Sequence, residues 1–305
     1  MKEAISLDKA QMGKIMSICK DIEKKEGVGS VFSLGSNKAN LVIPRWSSGI
    51  EDLDRIIGGG VPKGRVIEIY GKEGSGKTSL GYQLASMCEM ALYIPIEGTF
   101  DANRARIFGN FPKQLIVYRA QYGEQAMDKM MKFARAGIPL IILDSVPACK
   151  PKEDYERLEK SNEKDLRIGG TARLFSNHLP VIVNIIELSG TTVVLINQTR
   201  VNFNAGPFGD PDTTPGGVAI PFYASIRMKV FRREWISVPN KDPQDTSENE
   251  RIGMIQKIKI IKSKVCNPLG EAEIPMFFDR GYVPYDDIKS IRDEIMKGNN
   301  SRYKK

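Results

Sequence analysis

Gly71, Gly76, Lys77 and Thr78, within RVIEIYGKEGSGKTSL, fit the spacing G-x-x-x-x-G-K-[ST]. Glycine at these positions lets the backbone turn sharply and aim successive N–H groups at one anion. A helix starting at the same point adds its positive end. Lys77 is then placed to reach the β- and γ-phosphates of a nucleoside triphosphate, and the Thr78 hydroxyl to sit on Mg²⁺. Gly71, Gly74, Ser75, Gly76, Lys77, Thr78 and Ser79 together form the candidate phosphate cradle. Three further groups follow apolar runs: Glu97 after ALYIPI, Asp144 at the end of LIILD, and Gln198 after VVLIN. An acid closing an apolar strand is the pattern that helps to hold Mg²⁺ in P-loop enzymes. A lysine, a hydroxyl, two carboxylates and an amide are the set that ATP hydrolysis needs. They ligate Mg²⁺, orient and deprotonate water, and sense the γ-phosphate.

Such groups meet only if the elements before them end on one edge. Strands are predicted at 65–70, 91–96, 114–118, 140–144 and 191–197, and amphipathic helices at 78–90, 123–136 and 171–187. Alternating strands and helices indicate an α/β fold with a mostly parallel sheet covered on both faces. In that architecture functional groups collect at the carboxyl ends of the strands. YASIRMKVFRR and MIQKIKIIKSKV read as two long strands with hairpin-type spacing. Ahead of the core, residues 4–25 read as an amphipathic helix with Met12, Ile15, Cys19 and Ile22 on one face, followed by a short strand at 28–34. A helix and one strand cannot bury their own apolar faces, so this segment must pack on the core or on a neighbouring subunit. The last fifteen residues, rich in Lys, Asn and Gly, read as frayed or as a short helix.

Composition narrows the classes. The chain has 305 residues, 41% hydrophobic and 27% charged, enough for one large α/β domain with appendages or for two domains. There is no signal-type apolar start and no apolar run of about 18 residues, so a soluble intracellular protein without a membrane partner is expected. The four cysteines are far apart with no C-x-x-C pair, which excludes a zinc ribbon and fits reduced thiols. A single histidine, His178, excludes a multi-histidine metal site. The net charge of +8 fits a polyanionic partner. Two long segments lack periodicity: about 154–170, charged and ending in Gly169-Gly170, and 199–217, TRVNFNAGPFGDPDTTPGG. Loops this long in a compact domain are usually functional or disordered. Arginines, glycine amides and aromatic wedges suit a nucleic-acid strand.

With GRVIEIYGKEGSGKTSL, GEQAMD, LIILDSVPACKPK, VVLINQTR, DTTPGG, PFYASIR and IKSKVCNPLGEAEI in order, the chain resembles the bacterial RecA recombinases from about residue 5 to residue 281. The resemblance implies a RecA-like P-loop ATPase core at 41–285. It also implies an N-terminal helix-strand oligomerisation segment at 1–40 that docks on the next protomer of a helical filament. Glu97 matches the glutamate that activates water, Asp101 a residue near the adenine, and Gln198 the glutamine that relays the γ-phosphate state to a DNA loop. Lys262 and Lys264 match a lysine pair inserted by the adjacent subunit, and Phe278 an aromatic residue from that neighbour packed on the base. The implied cofactors are ATP (or dATP) and Mg²⁺. The implied partners are single-stranded DNA, homologous double-stranded DNA and further copies of the chain, with single-strand-binding and loader proteins as candidates. With the resemblance, the two long segments read as DNA loops whose candidate residues are Gly169, Gly170, Arg173, Arg200, Phe203, Phe208, Gly216 and Gly217.

The sequence also departs from the family pattern. Arg104 stands where an aromatic stacks on adenine, and Pro221 replaces an interface lysine. Asp212 replaces a glutamate, and Pro180 an arginine near DNA. The sequence given ends at Lys305, so 286–305 is expected to be a short basic tail in place of the usual C-terminal domain. A reduced or virus-encoded member in a bacterial or host cytoplasm fits this ending. The leading expectation is an ATP-dependent strand-exchange filament with DNA-stimulated ATP hydrolysis. The alternative is a regulatory or structural DNA-binding filament that does not pair strands. A hexameric helicase is disfavoured by the N-terminal segment and the lysine pair.

Overall fold

A computed structural model describes residues 7–27, 30–31, 42–98, 100–109, 115–159, 169–201, 212–239 and 249–297. The chain divides into two units, Met1–Pro44 and Arg45–Lys305. In the first, α1 (Lys9–Glu26) starts at a capping box between Asp8 and Gln11. None of its residues is buried, and Leu7, Met12, Ile15, Met16 and Ile18 are exposed. Most of the strand predicted at 28–34 lies outside the described residues.

The second unit runs β1 (Arg45–Trp46), α2 (Glu51–Ile56), β2 (Val61–Pro62), β3 (Val66–Gly71), α3 (Lys77–Ser86), β4 (Ala91–Pro95), α4 (Ala102–Arg106), β5 (Leu115–Val117), α5 (Gly123–Arg135) and β6 (Leu140–Asp144). There follow α6 (Lys152–Glu159), α7 (Gly170–Ser189), β7 (Thr192–Gln198), β8 (Arg200–Val201), β9 (Asp212–Thr213), α8 (Ala219–Tyr223), β10 (Ile226–Pro239), β11 (Asn249–Ser263), β12 (Glu271–Phe277), β13 (Gly281–Tyr282) and α9 (Ile288–Met296). One sheet has the order β13-β12-β11-β10-β3-β7-β6-β4-β5. The strands from β10 to β5 are parallel, and those from β10 to β13 are antiparallel.

The central strands are buried on both faces, which is why they read as continuous apolar runs. Their period of two still sorts the side chains. Val194 and Ile196 of β7 join Leu80 and Leu84 of α3 and Leu53 of α2. Val193 and Leu195 join Met127 and Met130 of α5 and Phe175 and Leu179 of α7. A third cluster seats Ile291 of α9 against Ile236, Val238, Ile252, Ile255 and Phe277. The segment after Tyr285 is packed helix as far as Met296, the short-helix alternative for the described part of the last fifteen residues, and 298–305 lies outside the described residues.

Two local expectations change. The helix predicted to run to residue 90 ends at Ser86, because the Met87 and Cys88 amides tighten onto the Leu84 and Ala85 carbonyls at 3.3 and 3.2 Å. The predicted loop from residue 154 opens as α6 instead. Lys152–Glu156 and Glu153–Arg157 form ion pairs one turn apart, and Asp154 is buried.

A buried charge pair locks β10 to β3. The Glu68 carboxylate is fully buried and accepts bonds from Arg227 Nε and, at 2.8 Å, from Asn197 Nδ2. Removing the cation strands the carboxylate, so Arg227→Met should cost about 3–5 kcal/mol of unfolding free energy in a urea titration. A loss under about 1 kcal/mol would mean that Asn197 alone satisfies Glu68.

Candidate functional site

Parallel register brings four strand ends to one edge. Tyr70 and Gly71 pair with Asn197 and Gln198, Asp144 pairs with Ile196, and Pro95 with Asp144. Glu97 lies two residues beyond β4. The sequence-predicted groups Lys77, Thr78, Glu97, Asp144 and Gln198 consequently line one cleft of about 400 Å³, with Glu73, Gly74, Gly76, Ser79, Arg104, Ser145, Ile196, Trp235, Met254 and Phe278.

The loop from β3 to α3 needs glycine for two separate reasons. At Gly71 a Cβ would stand 1.9 Å from the Val230 carbonyl oxygen, since β10 passes directly alongside. Gly76 has φ +83°, and a Cβ there would meet Gln256 Nε2 and the Met254 methyl at 2.6 Å. Gln256 in turn donates to the Ser75 carbonyl at 2.6 Å and accepts from the Tyr282 hydroxyl at 2.8 Å. The antiparallel part of the sheet thus braces the loop, and no sequence motif marks Gln256 or Tyr282 for that task.

Lys77 is buried, with its ammonium donating to the Lys72 carbonyl at 2.8 Å. Burial lowers its pKa, against the opposing pull of Asp144, Glu97 and Glu73. Asp144 Oδ2 accepts from Thr78 Oγ1 at 2.7 Å and from the Tyr93 hydroxyl at 2.5 Å. Burial raises the Asp144 pKa, while those two hydrogen bonds act against it. Glu97 Oε1 accepts from Ser145 Oγ and, at 3.3 Å, from Gln198 Nε2. Tyr93 and Ser145 are contributors that sequence reading missed. Ser145 directly follows Asp144, but Tyr93 is an ordinary strand aromatic by sequence.

The donor set suits a Mg²⁺–triphosphate: the buried Lys77 ammonium, the Thr78 hydroxyl and the Asp144 carboxylate line the cleft, and in the same loop Ser75 Oγ is buried with no partner, though Ser75 does not line the cleft. Among the described residues no three Asp, Glu, His or Cys side chains group as a metal cage. A Mg²⁺ held by Thr78 and Asp144 would complete its shell with phosphate and water oxygens, as this ion commonly does.

The base-side candidates are sorted differently. Arg104 Nη2 reaches Ser79 Oγ at 3.5 Å, and its guanidinium lies 5.6 Å from the Phe278 ring centroid. Phe278, expected to serve a neighbour's base, lines the cleft of its own chain, because β12 returns beside β11 and the Phe278 amide bonds the Ile252 carbonyl at 2.9 Å. Asp101 caps α4, accepting from the Asn103 and Arg104 amides at 2.8 and 3.3 Å, and does not line the cleft.

Lys262 and Lys264 also lie away from the cleft. Lys262 Nζ donates to the Pro221 carbonyl and, at 3.0 Å, to that of Phe222, and Lys264 Nζ donates to Phe222 at 2.8 Å. Burial, then repulsion from Lys264, lowers the Lys262 pKa.

The nucleic-acid candidates sit beyond the same sheet edge. Gly169 and Gly170 begin α7, and Arg173 pairs with Glu153 at 3.5 Å. Arg200 lies in the two-stranded β8–β9 ribbon opposite Thr213. Gly216 and Gly217 lead into α8, and a Cβ on Gly217 would stand 2.7 Å from that of Ala172. The two candidate segments therefore meet at the start of α7. Phe203 and Phe208 lie outside the described residues, as do 160–168. The returning limb is tied down by the Lys229–Asp212 ion pair, by Arg227 to Thr214 Oγ1 at 3.3 Å, and by Asn197 Nδ2 to the Pro215 carbonyl at 2.8 Å.

The family model of the RecA N-terminal domain matches residues 14–283. The chain is 38% identical over 268 residues to Protein RecA of Sulfurimonas denitrificans, covering 86% of this chain and 74% of that protein. The protein of the same name from Campylobacter fetus is 37% identical over the same shares, and that of Campylobacter hominis 34% over 281 residues, 90% of this chain and 77% of the relative. With a P-loop, an acid-tipped β6 and a glutamine-tipped β7 on one edge of a matching core, the chain belongs to the RecA family.

Proposed function

We propose that the chain is an ATP-dependent homologous recombinase that forms a helical filament on single-stranded DNA and exchanges strands with homologous duplex. The observation that carries this reading is the hydrogen bond from Gln198 to Glu97. It joins the phosphate edge to the strand that continues into the β8–β9 ribbon.

In this reading the glycine-rich loop, Ser75, Lys77, Thr78 and Ser79 hold the triphosphate, and Arg104 and Phe278 border the base. Thr78 and Asp144 hold Mg²⁺, which when bound neutralises charge on the phosphate oxygens. Glu97 takes the proton from the attacking water, with Ser145 and Gln198 fixing its carboxylate. Gln198 reports the γ-phosphate to 199–217, while Arg173, Arg200, Gly169, Gly170, Gly216 and Gly217 face the DNA backbone and Phe203 and Phe208 its bases. Lys262 and Lys264 act on the site of an adjacent copy, and the exposed apolar face of α1 docks on the next copy, a heterologous contact that propagates. Asp101 holds α4, and with it Arg104, in place. The described residues contain no helix long and apolar enough to cross a membrane.

The test is strand exchange between circular single-stranded DNA and homologous linear duplex, with ATP and with a non-hydrolysable analogue. Joint molecules with both nucleotides, and completed exchange with ATP, are expected. ATP hydrolysis and filaments without joint molecules would replace this reading with that of a regulatory filament.

A further inference from the structure

Trp235 belongs to none of the groups assigned above, yet it lines the cleft. It sits on β10 opposite Met254 of β11, the residue whose methyl crowds Gly76. Its ring meets Phe278 edge to face, with centroids 6.2 Å apart and planes at 73°. Two guanidiniums lie over the indole, Arg232 at 4.0 Å and Arg251 at 4.8 Å from the centroid. Arg232 Nη1 also comes within 3.9 Å of where a Gly74 Cβ would stand, so the same side chain spans the indole and the phosphate loop. On its other side the indole borders the groove beside α9 lined by Ile288, Lys289 and Arg292. A half-buried tryptophan held this way is a fixed wall between two spaces.

We propose that Trp235 and Phe278 form an aromatic corner that receives the base of the nucleotide in the cleft, with Arg232 and Arg251 as positioning residues that hold the indole. This rests on the nucleotide reading given above. Two rings near a right angle offer a planar base one face to lie on and one edge to abut, both favourable aromatic geometries. Arg104 lies against the far partner of that corner, 5.6 Å from the Phe278 ring centroid. Adjacent cations also favour an electron-rich purine over a pyrimidine.

ADP and inorganic tripolyphosphate separate the base from the phosphates. Trp235→Ala should weaken ADP binding about tenfold, the scale of one base–aromatic stack. Tripolyphosphate should bind as to wild type, and Trp235→Phe should recover most of the ADP affinity. The chain has two tryptophans, so Trp46→Phe leaves Trp235 as the only indole, and its emission should change on adding ADP but not tripolyphosphate. Unchanged ADP affinity in Trp235→Ala, or an equal loss for ADP and tripolyphosphate, overturns the corner. If Trp235→Ala does not fold, the emission of Trp46→Phe decides alone, and silence on saturation with ADP overturns it. Failure of the nucleotide reading looks different: ADP would then bind wild type and Lys77→Ala equally.

Discussion

Glu97→Gln should bind ATP and single-stranded DNA as wild type does and hydrolyse ATP on the order of 10²–10⁴-fold more slowly, the range for loss of a positioned general base. That corresponds to about 3–5 kcal/mol of transition-state stabilisation. The substitution is nearly isosteric. Glu97 Oε1 already accepts from Ser145 and Gln198, and a glutamine amide can turn its carbonyl to the same two donors. The side chain keeps its place and loses its proton affinity, so the filament should be held in its ATP-bound, DNA-bound state. Lys77→Ala should fail differently, because it deletes the buried ammonium among the phosphates and weakens ATP binding itself. Single-turnover hydrolysis on saturating DNA, beside nucleotide affinity by anisotropy, separates the two. Wild-type turnover by Glu97→Gln would falsify its role as the base.

The second large effect concerns Lys262 and Lys264. Neither lines its own chain's cleft, and both ammoniums are committed to the carbonyls at the end of α8, beside the exposed Phe222 ring. An ammonium has three donors, so each lysine keeps capacity for an acceptor on another copy. Replacing both with alanine should lower ATP turnover about 10³-fold, the lower end of what a cation supplied in trans contributes. Mixing that double variant with Glu97→Gln should restore activity. In a random one-to-one filament about a quarter of the junctions join an intact glutamate to an intact lysine pair across a heterologous contact. Recovery toward that fraction of wild-type turnover is expected, measured in filaments shown by labelling to contain both variants. Mixed filaments as inactive as either parent would place the whole site within one subunit.

Some features were legible without coordinates because they depend on local order. The phosphate loop reads directly from glycine spacing between an apolar strand and a helix. The parallel sheet reads from alternating strands and helices, and the convergence of Glu97, Asp144 and Gln198 from their common place after apolar runs, since parallel strands end on one edge. The two long final strands also pair as their pattern suggests. By itself, then, the sequence determined the fold class, the edge on which the site lies, and Lys77, Thr78, Glu97, Asp144 and Gln198 among the residues that line it.

Tertiary structure decided whatever depends on contacts between segments distant in sequence. Tyr93 is one more apolar strand residue until β4 and β6 pair and bring its hydroxyl to Asp144. Gln256 braces Ser75 across 181 positions, and Glu68 becomes a buried anchor only when Arg227 arrives on β10. Phe278 lines its own chain's cleft because β12 returns beside β11, a register that no local pattern encodes. The segment opening at Lys152 hides its helix for another reason. KEDYERLE carries little apolar periodicity, and its turns are joined by ion pairs four residues apart. Hydrophobic periodicity reports which face of an element is buried, not which element buries it. That choice was made by the order β10-β3-β7-β6-β4 in the sheet, which assembled the site.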